Sequence, residues 1–196
     1  MSRCAVALCD DGGVEIGDSR AWVLAADDVD VRVLERACPP VLDIGCGPAR
    51  HTLALAEQGR VALGIDITET VVSYARRRRV PVLRRGVFDA VPAAGRWGSA
   101  LLLDGNVGLG GDPVTLVRRA AELVHARGVV LVETAPPHTY RSTVTAHLVV
   151  EGRRGPRFGW AHVAADELGK IARRAGCVVT EQWSDRGRWF ALLVRT

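Results

Sequence analysis

The chain has 196 residues, enough for one domain with a single filled core and too few for two of ordinary size. Hydrophobic residues make up 48% and charged residues 24%, a globular balance, and no apolar run reaches the ~18–20 residues of a membrane-spanning helix. The formal net charge is +4, but the 26 basic residues include one lysine, Lys170, and the arginines are scattered, so charge alone does not argue for nucleic acid.

Taken in chain order, the N-terminus MSRCAVALCDDGG lacks the long apolar segment of a secretory signal, which points to the cytoplasm. Five cysteines, at 4, 9, 38, 46 and 177, form no CxxC pair and no zinc-like cluster, so neither disulfides nor a metal site is expected. Residues 5–7 and 14–16 flank a DDGG turn and predict a small hairpin. A helix from Asp28 to about Ala37 follows, stopped by Pro39 and Pro40. Strand 41–44, helix 49–58, strand 61–65, helix 68–79, strand 81–84, strand 99–103, helix 113–125 and strand 128–133 then alternate. Arg76 to Arg79 close the second of these helices, where positive charge suits the dipole. Such alternation implies a mainly parallel sheet covered by helices on both faces. After Pro136 and Pro137 the pattern changes. Strands 142–152 and 157–163 form a hairpin around an RRGP turn, and helix 166–175 leads to two final strands, CVVTEQW and RWFALLV, which close the sheet antiparallel.

A parallel sheet binds ligands beyond the carboxyl ends of its strands, which directs attention to VLDIGCGPAR at 41–50. Gly45 and Gly47 allow close approach of a ligand to backbone amides, and Asp66 ends the next strand, where a carboxylate can accept from both hydroxyls of a ribose. A dinucleotide fits poorly. Arg50 occupies the third position of a GxGxxG loop, where tight packing is needed, and Asp43 places negative charge near the phosphates. A ligand with a ribose and a cationic end fits better.

The segment DIGCGPA at 43–49, followed by Asp66 in GID, resembles the class I S-adenosylmethionine-dependent methyltransferases over residues 38–135. The resemblance implies a Rossmann-like, mainly parallel seven-stranded sheet with an antiparallel C-terminal strand and, here, an inserted hairpin. It implies S-adenosyl-L-methionine as cofactor and S-adenosyl-L-homocysteine as product. Asp43, Gly45, Cys46 and Gly47 would surround the methionine portion, Asp66 and Ile67 the ribose, and Val87, Phe88 and Asp89 the adenine. Ala49 departs from the third glycine of the motif, and a turn cap explains Asp89 equally well.

The same resemblance partitions residues 1–196 as one methyltransferase domain. It has an N-terminal leader (1–40), a cofactor-binding core (41–135), a hairpin insertion (136–165) and a C-terminal helix and hairpin (166–196). Asp104 ends the fourth strand of the core beside the donor, and Glu133 and His138 lie at the fifth strand's exit; these three are the candidates for cofactor or catalytic contacts. Trp22, Phe158, Trp160, Trp183 and Trp189, with Tyr140, are available to an acceptor pocket, as are Arg141, Arg153, Arg154 and Arg157. The expected reaction is in-line methyl transfer to a small-molecule acceptor, on oxygen or nitrogen. Competing readings are a noncatalytic S-adenosylmethionine-binding or protein-interaction module and an RNA methyltransferase, although no base-stacking motif supports nucleic acid. No membrane partner is expected. The hairpin is expected to cover the acceptor pocket, and its edge alternatively suits pairing in a homodimer.

Overall fold

The computed structural model describes residues 6–10, 22–139, 142–150 and 152–196. Five parallel strands build the ligand-bearing part of the main sheet: β2 (Val41–Ile44), β3 (Ala62–Asp66), β4 (Val82–Arg84), β5 (Trp97–Leu102) and β6 (Val124–Thr134). Two more, β9 (Cys177–Asp185) and β10 (Arg188–Arg195), complete a seven-stranded sheet of order β4-β3-β2-β5-β6-β10-β9, in which β10 runs antiparallel to both neighbours. β2 and β5 are buried at every position because helices cover both faces. Those helices are α1 (Asp28–Leu34), α2 (Arg50–Glu57), α3 (Glu69–Arg77), α4 (Pro113–Leu123) and α5 (Leu168–Arg174).

Local chemistry sets the helix starts. Asp27 caps α1 by accepting from the Asp30 amide, and Asp30 returns the bond to the Asp27 amide, a reciprocal capping box. Asp112 caps α4 through the amides of Val114 and Thr115, with Pro113 pre-set in the first turn.

A second, three-stranded sheet is formed by β1 (Val6–Asp10), β7 (Thr143–Val150) and β8 (Arg153–Ala161), in the order β1-β7-β8. β1 pairs antiparallel with β7, from Val6 opposite Val150 to Asp10 opposite Ala146. The expected hairpin partner of β1 at 14–16 lies outside the described residues. Two expectations are corrected. The RRGP segment lies inside β8, and the hairpin turns one step earlier, with Gly152 at φ +77° between the paired Val150 and Arg153. Helix α4 ends at Leu123 and β6 begins at once, so Val124 and His125, expected in the helix, are extended. Pairing decides that boundary: Val124 already lies opposite Trp97, and a register shift then carries β6 to Val129 opposite Ser99. Among the described residues no helix is long and apolar enough to cross a membrane.

Candidate active site

The loop after β2 is shaped by its neighbours. Gly45 has φ +70°, and a Cβ there would stand 2.7 Å from Leu109 Cδ1 and 3.0 Å from Asn106 Nδ2. Asn106 donates Nδ2–H bonds to the carbonyls of Ile44 (3.0 Å) and Gly45 (2.9 Å), stitching the loop after β5 to the loop after β2. From the other side Asp66 accepts from the Gly47 amide (3.0 Å) through one oxygen and the Thr68 amide (2.8 Å) through the other. Burial pushes the Asp66 carboxyl up despite these bonds. Each oxygen retains acceptor capacity for a bound hydroxyl.

These loops form the floor of a groove with three compartments. One, of about 210 Å³, lies over Asp66, Ile67, Val87 and Phe88 and is apolar apart from Asp66, Thr68 and Arg85. It continues past Gly45, Leu109 and Phe158 into a narrow passage of about 50 Å³ beside Cys46, Gly47, Arg50, Asp104 and Trp160. Beyond Trp22 and Trp160 the groove opens into a chamber of about 600 Å³, walled by Leu24, Val107, Pro136 and Val163 and floored by charged side chains.

The residues present fit S-adenosylmethionine. A slot with exposed apolar rims at Ile67 and Phe88 (56% exposed) suits a purine, and Asp66 lies where slot and passage meet, as a ribose contact requires. The passage combines glycine backbone with the Asp104 carboxylate, a surrounding compatible with a cationic tail. Asp43 is placed differently. It is 1% exposed beneath the loop, where its carboxylate accepts from Thr52 Oγ1 (2.7 Å) on the first turn of α2. It therefore braces the loop from below rather than lining the groove, and burial pushes its carboxyl up.

The Methyltransferase domain family matches residues 41–94. Trans-aconitate 2-methyltransferase from Deinococcus radiodurans is 31% identical over 152 residues, 73% of this chain and 58% of that protein, so the chain spans less than two thirds of this curated relative. An S-adenosylmethionine-dependent methyltransferase from Bacteroides fragilis, solved with S-adenosyl-L-homocysteine, superposes with a TM-score of 0.80 at 20% identity, over 97% of this chain and 88% of that one. The 1,6-didemethyltoxoflavin-N1-methyltransferase of Burkholderia thailandensis gives a TM-score of 0.65 at 18% identity, over 91% of this chain and 82% of that one. The chain has the fold of the S-adenosylmethionine-dependent methyltransferases it superposes on, and its residues 41–94 match the Methyltransferase domain family.

The loop after β5 is the sharpest local feature of the site. Asp104 has φ +56° and Gly105 φ +74°, two successive left-handed residues that turn the chain and bring the Asp104 carboxylate to both passage and chamber. A left-handed non-glycine residue costs about 1–2 kcal/mol, and Asp is among the few that adopt it readily. Ala49, where the family motif has glycine, keeps the left-handed backbone at φ +67°, with its methyl among Val72, Ala75, Val80 and Val82.

The chamber floor is an ion-pair lattice. Arg50 donates to both oxygens of Asp30 (2.9 and 3.2 Å) and to both oxygens of Asp104. Arg188 donates to both oxygens of Glu133 (2.8 and 2.9 Å) and to Asp30 (2.9 Å). Glu133 in turn accepts from the Asp104 amide (2.8 Å), and His51 Nε2 stands 3.3 Å from Asp30. Burial alone would raise the Asp30 carboxyl, but its bonds with His51 and Arg50 hold it far below the carboxylate range. Burial and Arg50 would lower the His51 imidazole; the Asp30 bond and the charges of Asp104 and Asp43 leave it raised.

Sequence reasoning missed Asp30, Arg50 and Arg188. Arg50 carries the one signal available, a bulky charged residue immediately after a glycine-type loop. Of the expected catalytic candidates, Asp104 and Glu133 meet through the Asp104 amide and line the chamber, while His138 is not among its lining residues. Its side chain is 89% exposed and pairs with Asp166, because a left-handed turn at φ +63° carries it outward. Asp89 does not line the slot either; its carboxylate accepts from the Gly86 amide (2.9 Å) and caps that turn. Trp22, Phe158 and Trp160 line the groove, whereas Trp183 stacks on Phe190 beneath Arg36. Tyr140 and Arg141 lie outside the described residues. Arg50 and Arg188 are the guanidiniums that line the chamber; Arg154 and Arg157 are not among its walls. The hairpin covers the groove as a packed wall: a Cβ at Gly108 would sit 1.9 Å from the Ala161 carbonyl oxygen. Among the described residues no cluster of His, Cys, Asp or Glu could hold a metal ion.

Proposed function

We propose that this chain is an S-adenosylmethionine-dependent methyltransferase that acts on a small-molecule acceptor, on oxygen or nitrogen. The observation that carries the reading is the continuity of the groove, from a purine-sized apolar slot over Asp66, through a passage pinched by Trp22 and Trp160, into a chamber large enough for an acceptor. Asp66 would hold the ribose, Ile67, Val87 and Phe88 the adenine, and the Gly45–Gly47 backbone with Asp104 the amino-acid tail. Bound there, the cofactor supplies an electrophilic methyl on a sulfonium.

The chain's own contribution is positioning and exclusion of water. Trp22 and Trp160 narrow the opening between donor and acceptor, which favours one line of approach for an in-line displacement. Asp104 and Glu133 line the acceptor side, where a carboxylate oxygen can orient an acceptor or take its proton. We place the chemistry in a single domain, to which the segments 1–40, 41–135, 136–165 and 166–196 contribute together, and in the cytoplasm.

Calorimetry tests the reading. Both S-adenosylmethionine and S-adenosylhomocysteine should bind saturably and NAD should not. Saturation by NAD without a response to either sulfur nucleotide would overturn it.

A further inference from the structure

His162 stands at the seam between the two sheets. Its amide donates to the Ser142 carbonyl (2.9 Å), which continues the β7–β8 ladder one pair beyond Thr143 and Ala161. The next residue, Val163, accepts from the Ala135 amide (2.9 Å) at the exit of β6, so the backbone is held on both sides. Side chains alternate across extended chain, and His162 falls in the series of Phe158 and Trp160, whose rings pack toward the groove. It lines the chamber and not the passage, one step beyond Trp160.

Its imidazole is uncommitted. Among the described residues neither ring nitrogen has a hydrogen-bond or ionic partner, and neither is sealed from solvent as the unpaired Thr134 hydroxyl and His147 Nε2 are. The charged groups that share the chamber are Asp27 and Asp30 at the start of α1, Arg50 of α2, Asp104 after β5, Glu133 of β6 and Arg188 of β10. From its own side of the chamber come Trp160, Ala161 and Val163, none of which titrates. The carboxylates are occupied. Both oxygens of Asp30 and of Asp104 accept from Arg50, and both of Glu133 from Arg188, so a proton on any of the three would break an ion pair. Asp27 is held by the Asp30 amide as the cap of α1. That leaves the His162 imidazole as the chamber group free to take a proton.

We propose that His162 is the general base of methyl transfer, and that the acceptor is a hydroxyl on a flat, apolar body lying against Trp22 and Trp160. The proposal rests on the reading of this chamber as the acceptor site, and it narrows that reading from oxygen or nitrogen to oxygen. A neutral amine attacks through its own lone pair, whereas a hydroxyl becomes a good nucleophile only as its proton leaves, so an open imidazole serves a hydroxyl. The step balances. The acceptor's O–H proton passes to an unprotonated ring nitrogen of His162, the oxygen bonds to the methyl carbon, and the electron pair of the broken carbon–sulfur bond stays on sulfur. Solvent at the open side of the chamber then takes the proton from the imidazolium. Asp104 and Glu133, fixed by Arg50 and Arg188, keep the orienting role.

The probe is 2-naphthol, a flat hydroxyl compound that, once excited by light, gives its proton to an adjacent base and then emits as naphtholate. It is titrated into the full chain, with and without saturating S-adenosylhomocysteine, followed by calorimetry and by fluorescence excited beyond the tryptophan band. Binding should be saturable and the bound probe should emit as naphtholate. His162→Gln keeps a polar side chain of similar size but no base; it should hold the thermal midpoint and lower the naphtholate-to-naphthol emission ratio roughly tenfold or more. Only an unprotonated ring accepts, so in the natural chain the ratio should rise with pH through the imidazole range, and His162→Gln should lose that limb. Naphtholate emission that survives in His162→Gln would give the proton to a carboxylate and overturn the proposal. Emission from neutral naphthol alone, or no saturable binding, would overturn it as well. Failure of S-adenosylhomocysteine to bind while the His162-dependent emission persists would instead overturn the cofactor reading and leave the base standing.

Discussion

The two ends of the groove are made in different ways. The slot and passage are made largely by backbone: Gly45 and Gly47 from one loop, held by Asp66 and Asn106, with apolar rims at Ile67 and Phe88. The chamber is made by charged side chains from α1, α2, the loop after β5, β6 and β10, and its lattice joins Arg188 to Asp30 across 158 positions of sequence. A backbone-built site depends on glycines and one acid at short spacing. A side-chain-built site depends on the whole topology, because β10 must insert beside β6 before Arg188 can reach Glu133.

The comparison can be broken most strongly at Asp30. Asp30→Ala leaves Arg50, Arg188 and His51 without their shared buried partner, and unfolding in urea should show a loss of about 3–5 kcal/mol. Its pH dependence has a definite sign. The folded Asp30 carboxyl titrates far below the ~3.9 of an unfolded aspartate, so its stabilisation is complete above that value and fades as pH falls beneath it. His51 is raised, so its contribution is complete below the ~6.5 of an unfolded histidine and fades as pH rises through its folded value. Urea midpoints measured against pH should fall on both sides, and Asp30→Asn should flatten both limbs relative to the natural chain.

At the other end of the groove, Asp66→Ala should weaken S-adenosylhomocysteine by ~1.5–3 kcal/mol in calorimetry, the range for hydrogen bonds to a charged group. Between the two ends lies Gly108, where an added methyl meets the Ala161 carbonyl oxygen. Gly108→Ala should cost about 1–3 kcal/mol of stability by overpacking and lower the affinity for S-adenosylhomocysteine. At the surface, Arg32 pairs with Asp185 in solvent, and Arg32→Ala should change stability by less than about 1 kcal/mol and leave S-adenosylhomocysteine affinity unchanged.

The same contrast explains what could be read in advance. Strand 41–44, Asp66 at the end of β3 and the Asp112–Pro113 helix start rest on local signals, and the structure has them where those signals put them. The start of β6 was missed because the segment around His125 takes its conformation from pairing with β5 rather than from its own composition. The turn of the second hairpin was misplaced because Gly152, with positive φ, lets the chain reverse ahead of RRGP, so that Arg153 already pairs with Val150. Asp30 looks in sequence like one more acid near a helix start. Only the approach of α2 and β10 gives its carboxylate the Arg50 and Arg188 bonds that set the chamber's charge.

A crystal structure of the full chain with S-adenosylhomocysteine tests the division of the groove most directly. The account predicts adenine between Ile67 and Phe88, the ribose hydroxyls on Asp66, and the sulfur in the passage beside Asp104 and Trp160, facing an open chamber. Density for the nucleoside within the chamber, over Thr134 and Arg188 with the Asp66 slot empty, would contradict it.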